Sequence, residues 1–458
     1  MPLLVGVIGA GPVGLSATKQ AIDLGCKVEI IDPWVMSQRS SPKNIVGNKK
    51  TRFGSEDMYN YPKKFIEAPL FDDIPISSVV GGLSTVWGAG LDFDFDKINS
   101  DFTENDTRES EKFVKSIFGE YSGTEYRSER FNKIYCKSHI NKSGFQKSQL
   151  AVNSGKCKLT GECMSGCALD AIWSAEAQWR ALVQDSVTLR RGYAIKVNDF
   201  MDGAQVHIED NQAVKVFDYD VVFVACGPIA SAALGQRSGI LPSTLSIGET
   251  RIIHTPLLFV SNFRSYDEKN FSLSQLFYYK KFKKHGEYFW MSLFESSRFL
   301  QDKAKLRLGK VLDFIPKSIW GYIGVGISYI PEEISGKLKL ELKGEKSLLT
   351  SSLNNNEIPK YIKAIFTKIR SDFFRQGILI YHRLSMVGNY GSSYHVGHLT
   401  FEDREIFDSF GRTSISSNIA FVDASSLRKL PTGPIMAIAM INASLKVKKV
   451  VETRVFKK

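Results

Sequence analysis

The amino-acid sequence predicts an α/β protein with two parts, a domain with a parallel sheet and a discontinuous α+β domain built on an antiparallel sheet. A strand, a glycine-rich turn, a helix and a second strand follow one another over residues 1–34. Another apolar strand runs through a glycine into a helix at 221–236. From 241 to 390, strands of alternating polarity and dense aromatic residues are typical of an antiparallel sheet. At 458 residues, the chain is also too long for one compact core.

The first strand and its turn are the most informative stretch. Residues 5–8 are apolar, as in a buried parallel strand, and they lead directly into Gly9-Ala10-Gly11-Pro12-Val13-Gly14. In a G-x-G-x-x-G turn, the first glycine permits a tight turn and the second lets the backbone approach a pyrophosphate. The third lets the helix pack on the strand. The turn therefore predicts a phosphate-binding helix N-terminus.

The helix and second strand that follow strengthen this prediction. We expect a helix over 15–24 and a strand over 27–31 that ends at Asp32. A carboxylate at this distance can accept a hydrogen bond from a ribose hydroxyl. The sequence predicts a Rossmann-type dinucleotide-binding domain, and the alternative is a glycine-rich turn without a ligand.

The remaining pattern divides the chain into five segments. Helices are expected at 175–184, 229–236, 358–376 and 435–450, and short strands precede the second and the last of them. The predicted segments are a first part of the dinucleotide-binding domain (1–100), an excursion that belongs to the substrate domain (101–150), a second part with a cysteine loop (151–240), the main substrate domain (241–390) and a C-terminal part of the first domain (391–458).

Charge and hydropathy limit the classes of function. The net charge of +12 does not indicate nucleic acid, because the basic residues are spread along the chain. The longest uncharged apolar stretch, 319–330, is too short to span a bilayer. The first strand begins by Leu3 and leaves no room for a signal peptide, so we expect a cytoplasmic protein. The aromatic and basic run at 277–290 is either a partly buried strand and loop with a solvated basic face or a binding surface. Such a surface would take a phosphate-bearing substrate or anionic lipid headgroups, the latter as a peripheral membrane contact.

Four motifs occur in an order that resembles a known family. They are the N-terminal fingerprint, the Gly81-Gly82-x-Ser84-x-x-Trp87-Gly88 loop, the strand–turn–helix at 223–231 with Ala225 and Gly227, and the stretch at 419–434 with Asp423, Ala424 and Pro431-Thr432-Gly433-Pro434. Together they resemble the glucose–methanol–choline (GMC) oxidoreductases, FAD enzymes that oxidise alcohols and sugars. The loop at 81–88 is most similar in style to the pyranose oxidase and the gluconate and fructose dehydrogenase branch.

The resemblance implies a Rossmann-type FAD-binding domain and a non-covalent FAD, because Val86 stands where pyranose oxidases carry the histidine that is tied to the flavin. Asp32 would bind the adenosine ribose, Asp423 and Ala424 would approach the ribityl and phosphate groups, and the last helix would point at the flavin. The residues that the resemblance assigns to FAD are Gly9, Gly11, Pro12, Gly14, Asp32, Gly81, Gly82, Ser84, Trp87, Gly88, Ala225, Gly227, Asp423, Ala424 and Pro434.

One histidine is the candidate catalytic base. Family members place a histidine on the substrate side of the flavin, and His395 fits that place. Alcohol oxidation needs a base for the hydroxyl proton, and a neutral imidazole suits this task. The alternatives are a structural role for His395 or the nearby His398 or His382 as the base. Many relatives carry a second histidine or asparagine where this chain has Gly433, so the resemblance implies a one-histidine site or a substitute partner.

Three clustered cysteines are the candidate metal ligands. Cys157, Cys163 and Cys167 have the spacing C-x5-C-x3-C, which resembles a [3Fe-4S] loop in membrane-linked dehydrogenases of this family. The alternatives are a zinc site completed by a residue such as His139, a loop that only packs, or the remnant of a four-cysteine site.

The function that the resemblance implies is a dehydrogenase that oxidises a CH–OH group of a sugar or sugar-bearing alcohol by hydride transfer to flavin N5. Electrons would then pass, through the candidate cluster, to an acceptor protein or a quinone. Two other hypotheses for the function stay open. One is a flavin-dependent reductase or isomerase, and the other is a non-catalytic flavin and iron–sulfur electron-transfer subunit.

Overall fold

The structure is a computed structural model, and it describes residues 2–35, 63–71, 74–85, 87–93, 101–121, 127–141, 143–161, 163, 167, 169–260, 271–282, 288–296, 317–352, 357–388 and 395–455. The helices within this part of the chain are α1 (Pro12–Asp23), α2 (Glu104–Phe118), α3 (Glu129–Asn141), α4 (Ala175–Asp185), α5 (Pro228–Arg237), α6 (Lys317–Trp320), α7 (Glu332–Ser335), α8 (Glu357–Arg375) and α9 (Met436–Val455).

The strands fall into the same described part. The first are β1 (Leu4–Ile8), β2 (Lys27–Asp32), β3 (Ile66–Glu67), β4 (Phe145–Lys147), β5 (Thr188–Arg191), β6 (Tyr193–Asp199), β7 (Ala204–Asp210), β8 (Ala213–Tyr219), β9 (Val221–Val224), β10 (Thr244–Thr250) and β11 (Ile252–Phe259). The others are β12 (Leu276–Lys281), β13 (Tyr288–Glu295), β14 (Ile323–Tyr329), β15 (Lys337–Lys343), β16 (Lys346–Ser352), β17 (Ile378–Ile380), β18 (Met386–Val387), β19 (His395–Phe401), β20 (Arg404–Glu405) and β21 (Ile419–Phe421).

A parallel five-stranded sheet forms the centre of the first part, in the order β21-β9-β1-β2-β5. The predicted strand–turn–helix–strand unit is present as β1, α1 and β2. The chain leaves β1 toward β2 on one side, and β9 returns on the other side of β1. This change of direction makes a switch point at the carboxyl ends of β1 and β9, where open α/β sheets bind ligands.

Helices α1 and α9 pack side by side on this sheet. The hydroxyl of Ser16 donates to the carbonyl oxygen of Met440 (2.8 Å), and the hydroxyl of Ser444 donates to Oε1 of Gln20 (2.7 Å). Both helices are buried along their contact with the sheet, which explains why α9 is apolar around most of its circumference. The C-terminal helix is therefore part of the core that supports the N-terminal fingerprint.

An antiparallel sheet, with the strand order β17-β11-β14-β13-β12-β4 and with β18 paired to β11, forms the second part. One face packs on α8, where Tyr278 lies 4.8 Å from Phe373 and Phe289 lies 6.1 Å from Phe366 between ring centroids. Since side chains alternate along a strand, Trp290 points to the opposite face. That face packs toward the core of the first part.

A mixed six-stranded sheet, in the order β20-β19-β10-β15-β16-β3, joins the two parts. Strand β19 pairs with β10, and a Cβ at Gly397 in β19 would overlap the carbonyl oxygen of Ala424 just after β21. The strand that carries His395 is thus held against the carboxyl end of the parallel sheet.

Most aromatic side chains of the run at 277–290 are buried in or beside β12 and β13, and Tyr279 and Tyr288 are half-buried, as the first of its two interpretations expected. A peripheral membrane contact through this run stays a prediction. Of the helices in the described ranges, none combines the length and the apolar character that crossing a membrane requires.

Candidate functional site

The three fingerprint glycines have different surroundings. Gly9 has φ +109°, and a Cβ there would lie 2.6 Å from the carbonyl oxygen of Ala225. A Cβ at Gly14 would overlap the carbonyl oxygen of Gly9. A Cβ at Gly11 would meet no described atom within 4 Å. Gly9 and Gly14 are therefore required for packing, whereas Gly11 leaves open space above the turn.

The N-terminus of α1 faces this open space. Gly11 is its N-cap and Pro12 its first residue; within the described chain, no side chain caps the helix and its first turn has no acidic residue. The first-turn N–H groups and the positive end of the helix dipole are therefore available to an anion. The cradle fits a dinucleotide pyrophosphate, since a side chain at Gly11 would fill the space that such a group needs.

The carboxylate of Asp32 is buried beside the same turn. It accepts hydrogen bonds from the backbone N–H of Ala10 (2.8 Å, Oδ2) and of Trp34 (2.7 Å, Oδ1). Burial raises the pKa of Asp32 to about 6, although both bonds act to lower it. Each oxygen keeps a lone pair, so Asp32 can still accept from a ribose hydroxyl.

The glycine-rich loop after residue 80 lies against the fingerprint. The N–H of Gly81 donates to the carbonyl oxygen of Ala10 (2.8 Å), and a Cβ at Gly82 would lie 3.5 Å from Cα of Gly11. The hydroxyl of Ser84 donates to the carbonyl oxygen of Gly81 and accepts from the N–H of Ala175, which fixes the loop on α4. The structure therefore brings two of the predicted glycine motifs together.

Trp87 and Gly88 continue this loop. The Nε1–H of Trp87 donates to the carbonyl oxygen of Trp173 (2.8 Å), and its ring packs on Trp173 and Phe118. A Cβ at Gly88 meets nothing within 4 Å among the described atoms, so the backbone is open there. Val86, on which the prediction of a non-covalent flavin depends, lies outside the described residues.

The carboxylate of Asp423 points into the protein. It accepts from the N–H of Gly227 (2.9 Å), the hydroxyl of Ser231 (2.6 Å) and the N–H of Ser425 (2.9 Å). Asp423 thus joins the end of β21 to the turn before α5. Oδ1 keeps one lone pair, and the approach of Asp423 and Ala424 to the ribityl and phosphate groups stays a prediction.

The loop at 431–434 lies between the antiparallel sheet and the start of α9. A Cβ at Gly90 would lie 3.2 Å from Cγ of Pro434, two residues before α9 begins. A Cβ at Gly433 would lie 3.1 Å from Cδ2 of Trp290. The hydroxyl of Thr432 donates to the carbonyl oxygen of Tyr288 (3.1 Å) and anchors the loop to β13. The antiparallel sheet and the N-terminus of α9 therefore meet at this loop.

His395 contacts the same loop from β19. Its imidazole hydrogen-bonds to the backbone of Pro431, and because proline has no N–H, the ring must donate to the carbonyl oxygen. Its Nδ1 is buried and has no hydrogen-bond partner among the described residues, so the donating atom is Nε2. The ring stacks on Tyr329 with centroids 4.5 Å apart.

The charge state of His395 follows from this environment. Burial lowers its pKa to about 4, although the bond to Pro431 acts to raise it. At pH 7 the imidazole is therefore neutral, with its proton on Nε2 and a lone pair on Nδ1. This tautomer, assigned from the hydrogen bond, leaves on Nδ1 a buried proton acceptor without a partner among the described residues.

His398, the nearby competitor, lies between two carboxylates. Its Nδ1 lies 2.6 Å from Glu332 and its Nε2 lies 3.1 Å from Glu405, so both nitrogens donate. Burial acts to lower the pKa of His398, but the two carboxylates outweigh burial and raise it to about 9. Glu332 also accepts from the N–H of Leu430 (3.2 Å), so the charged pair supports the 431–434 loop. His382 lies in a short 3-10 helix beside β11.

The charged His398 makes stability depend on pH. Because the folded pKa is raised, its contribution is fully present below pH 6.5, the ordinary pKa, and is lost as the pH rises through about 9. We expect the free energy of unfolding to fall by on the order of 2 kcal/mol over this window in the natural protein. Urea unfolding at several pH values measures it. His398→Asn, which tolerates the φ of +47° at this position, should show a flatter curve; equal slopes would contradict the assignment.

The predicted cysteine cluster has no support in the structure. Among the described residues, no three His, Cys, Asp or Glu side chains form a group that could hold a metal ion. Burial raises the pKa of the Cys163 thiol, and the charges of Cys157 and Cys167 raise it further. Hydrogen bonds with Ser272 act in the opposite direction and lower it. His139, the suggested zinc partner, is exposed on α3.

Three residues of this site were not found from the sequence. Glu332 lies in the four-residue helix α7, Tyr329 ends β14, and Trp290 lies in the aromatic and basic run at 277–290, for which two interpretations were open. Neither spacing nor a local motif marks them, because tertiary packing brings them to the loop. The one available signal was Gly433, whose lack of a side chain leaves room for Trp290.

Comparison with known proteins bears on the fold. The chain matches no known protein-family model and no curated protein sequence. Among solved structures, it is similar to the crystal structure of pyridoxine 4-oxidase from Mesorbium loti, with a TM-score of 0.59 and 11% sequence identity. The match covers 98% of this chain and 99% of that chain. The protein therefore has the mixed α/β fold of this oxidase over nearly its whole length.

Proposed function

We propose that this protein is a FAD-dependent oxidoreductase that oxidises a CH–OH group, with His395 as the base that accepts the hydroxyl proton. One observation carries this proposal. His395 presents a buried lone pair on Nδ1, without a partner among the described residues, at the loop before α9. The similarity of fold to a structure named as an oxidase and the resemblance to the GMC family support it.

The open cradle at Gly11 fits the proposed cofactor. The N-terminus of α1 would bind the pyrophosphate of FAD and Asp32 its ribose. Bound FAD would supply the acceptor for the hydride that leaves the substrate carbon. The N-terminus of α9 provides partial positive charge at the 431–434 loop, where it would stabilise negative charge.

We propose a sugar or sugar-bearing alcohol as the substrate class. Support comes from the face of the antiparallel sheet beside His395, on which Tyr279 and Trp290 form a cross-strand pair. Aromatic walls with a few polar groups are typical of small-molecule sites. Such a face also suits a flat heteroaromatic alcohol such as pyridoxine, which the name of the structurally similar oxidase gives as its substrate. Both classes belong in the assay.

The test begins with protein purified without oxygen. Its absorption spectrum is measured before and after acid precipitation, and iron and zinc are assayed on the same sample. We expect flavin in the supernatant, which would mean that FAD is bound non-covalently. The protein is then mixed anaerobically with D-glucose, D-gluconate, D-fructose, benzyl alcohol and pyridoxine, and we expect at least one of them to bleach the flavin absorption.

Each outcome separates two functions. Bleaching that a quinone reverses faster than oxygen does would support a dehydrogenase, and the opposite order would support an oxidase. Stoichiometric iron would support an iron–sulfur cluster at Cys157, Cys163 and Cys167, and protein without iron would contradict it. Flavin that no alcohol bleaches, but that reduced artificial donors turn over, would favour a reductase. Protein without flavin would contradict the proposal.

A further inference from the structure

Trp290 carries a buried donor for which the described residues provide no acceptor. Its side chain is 7% exposed, and its Nε1–H has no hydrogen-bond partner among the described residues. Leaving such a group unpaired destabilises the fold, and buried indole N–H groups usually find an acceptor. A bound ligand is the natural source of the missing acceptor.

Trp290 lies at the loop that His395 contacts. Its indole packs on Gly433, at Cδ2, Cε3 and Cγ, and these contacts do not involve Nε1. Phe277 and Tyr279 hold the ring from neighbouring positions, with centroids at 4.5 and 6.0 Å. Aromatic packing therefore fixes the donor in place, and Gly433 leaves the room that the indole occupies.

Strand register brings Trp290 and His395 to one region. Met291 of β13 pairs with Ser328 of β14, so their neighbours Trp290 and Tyr329 share the opposite face of the sheet. Tyr329 stacks on His395. Two ring nitrogens without a partner in the described chain, one a donor and the other an acceptor, thus lie on the same face and against the same short loop.

We propose that Trp290 donates a hydrogen bond from Nε1 to the reacting oxygen of the substrate while Nδ1 of His395 accepts the proton of that oxygen. This inference rests on the proposed function. The oxygen gains negative charge as its proton leaves, and a preorganised donor in a dry site stabilises that charge. Gly433 is part of the arrangement, because a side chain there would displace the indole.

The test compares Trp290→Phe with Trp320→Phe. Both tryptophans are 7% exposed. Trp320 is the last residue of α6, which lies just before β14, and Tyr329 is at the opposite end of that strand. Flavin reduction by the panel alcohol that reduces the natural protein fastest is followed anaerobically. We expect Trp290→Phe to slow reduction by about 10²-fold at saturating alcohol. The flavin spectrum, flavin affinity and melting temperature should change no more than in Trp320→Phe, whose reduction rate should stay near that of the natural protein.

A second variant tests the donor itself. Trp290→His keeps a ring N–H, so the alcohol should reduce the flavin of this variant faster than the flavin of Trp290→Phe. Equal rates in Trp290→Phe and the natural protein would overturn the inference and leave the proposed function intact. A change in flavin affinity without a change in the reduction rate would also overturn it, because the donor would then serve the cofactor. A natural protein that no alcohol reduces would reject the proposed function, and the inference with it.

Discussion

Replacing His395 by asparagine is expected to reduce turnover by on the order of 10³-fold while the protein keeps its flavin, since a positioned general base contributes 10²- to 10⁴-fold. The reason is the loss of the proton acceptor on Nδ1, which is buried at the 431–434 loop without a partner among the described residues. Steady-state turnover and the flavin absorption of the purified variant measure the two effects separately.

The pH dependence provides an independent test of the same residue. The base is active when neutral, so the activity should hold above its pKa and fall as the pH drops through about 4. An unperturbed histidine would instead give a midpoint near pH 6.5. His382→Asn is the matched control and should keep both rate and profile. Normal turnover in His395→Asn, or a midpoint near pH 6.5, would contradict the assignment.

Two alanine substitutions in the fingerprint should have opposite consequences. In Gly14→Ala, the added methyl group would overlap the carbonyl oxygen of Gly9, so α1 could not pack on β1. We expect a loss of several kcal/mol in the free energy of unfolding, and little folded protein. In Gly11→Ala, the methyl group meets no described atom within 4 Å. That variant should fold normally and lose flavin affinity, because the methyl group takes the space of the pyrophosphate.

Both variants are measured in the same way, by melting temperature and by the ratio of flavin to protein after purification. The contrast between them separates packing from ligand binding. Gly11→Ala with full flavin content would contradict a pyrophosphate at this turn. Gly14→Ala with an unchanged melting temperature would contradict the close contact with Gly9.

The elements that local sequence determines were predicted well. The unit β1–α1–β2 was expected at its observed place, because an apolar strand, three glycines and a terminal acid are read within one short stretch. Helix α8 followed from apolar residues at helical spacing, and it spans Glu357–Arg375 where 358–376 was predicted. The start of α9 was also predicted closely, at 435 where the helix begins at Met436, since a proline-containing loop marks where a helix can begin. The helix continues to Val455, beyond the predicted end at 450.

Contacts between distant residues could not be predicted. The direction of Asp423 depends on Gly227 and Ser231, which lie far away along the chain. The charged state of His398 depends on Glu332. The contact of Trp290 with the 431–434 loop depends on the register of β13 and β14. Each of these is a product of tertiary packing, and a single sequence without local periodicity carries no signal for it.

The order of strands in the parallel sheet has a consequence for biosynthesis. Strand β1 pairs with β9, β9 pairs with β21, and α1 packs on α9, so the earliest and latest parts of this sequence share one layer. Contacts so distant along the chain close slowly, and a domain that needs them stays incomplete while synthesis continues. The fingerprint turn is made long before α9, yet it reaches its final geometry only after α9 has left the ribosome. Loading of a dinucleotide should therefore follow the synthesis of α9, and the edge of β9 that pairs with β21 is an exposed strand edge until then.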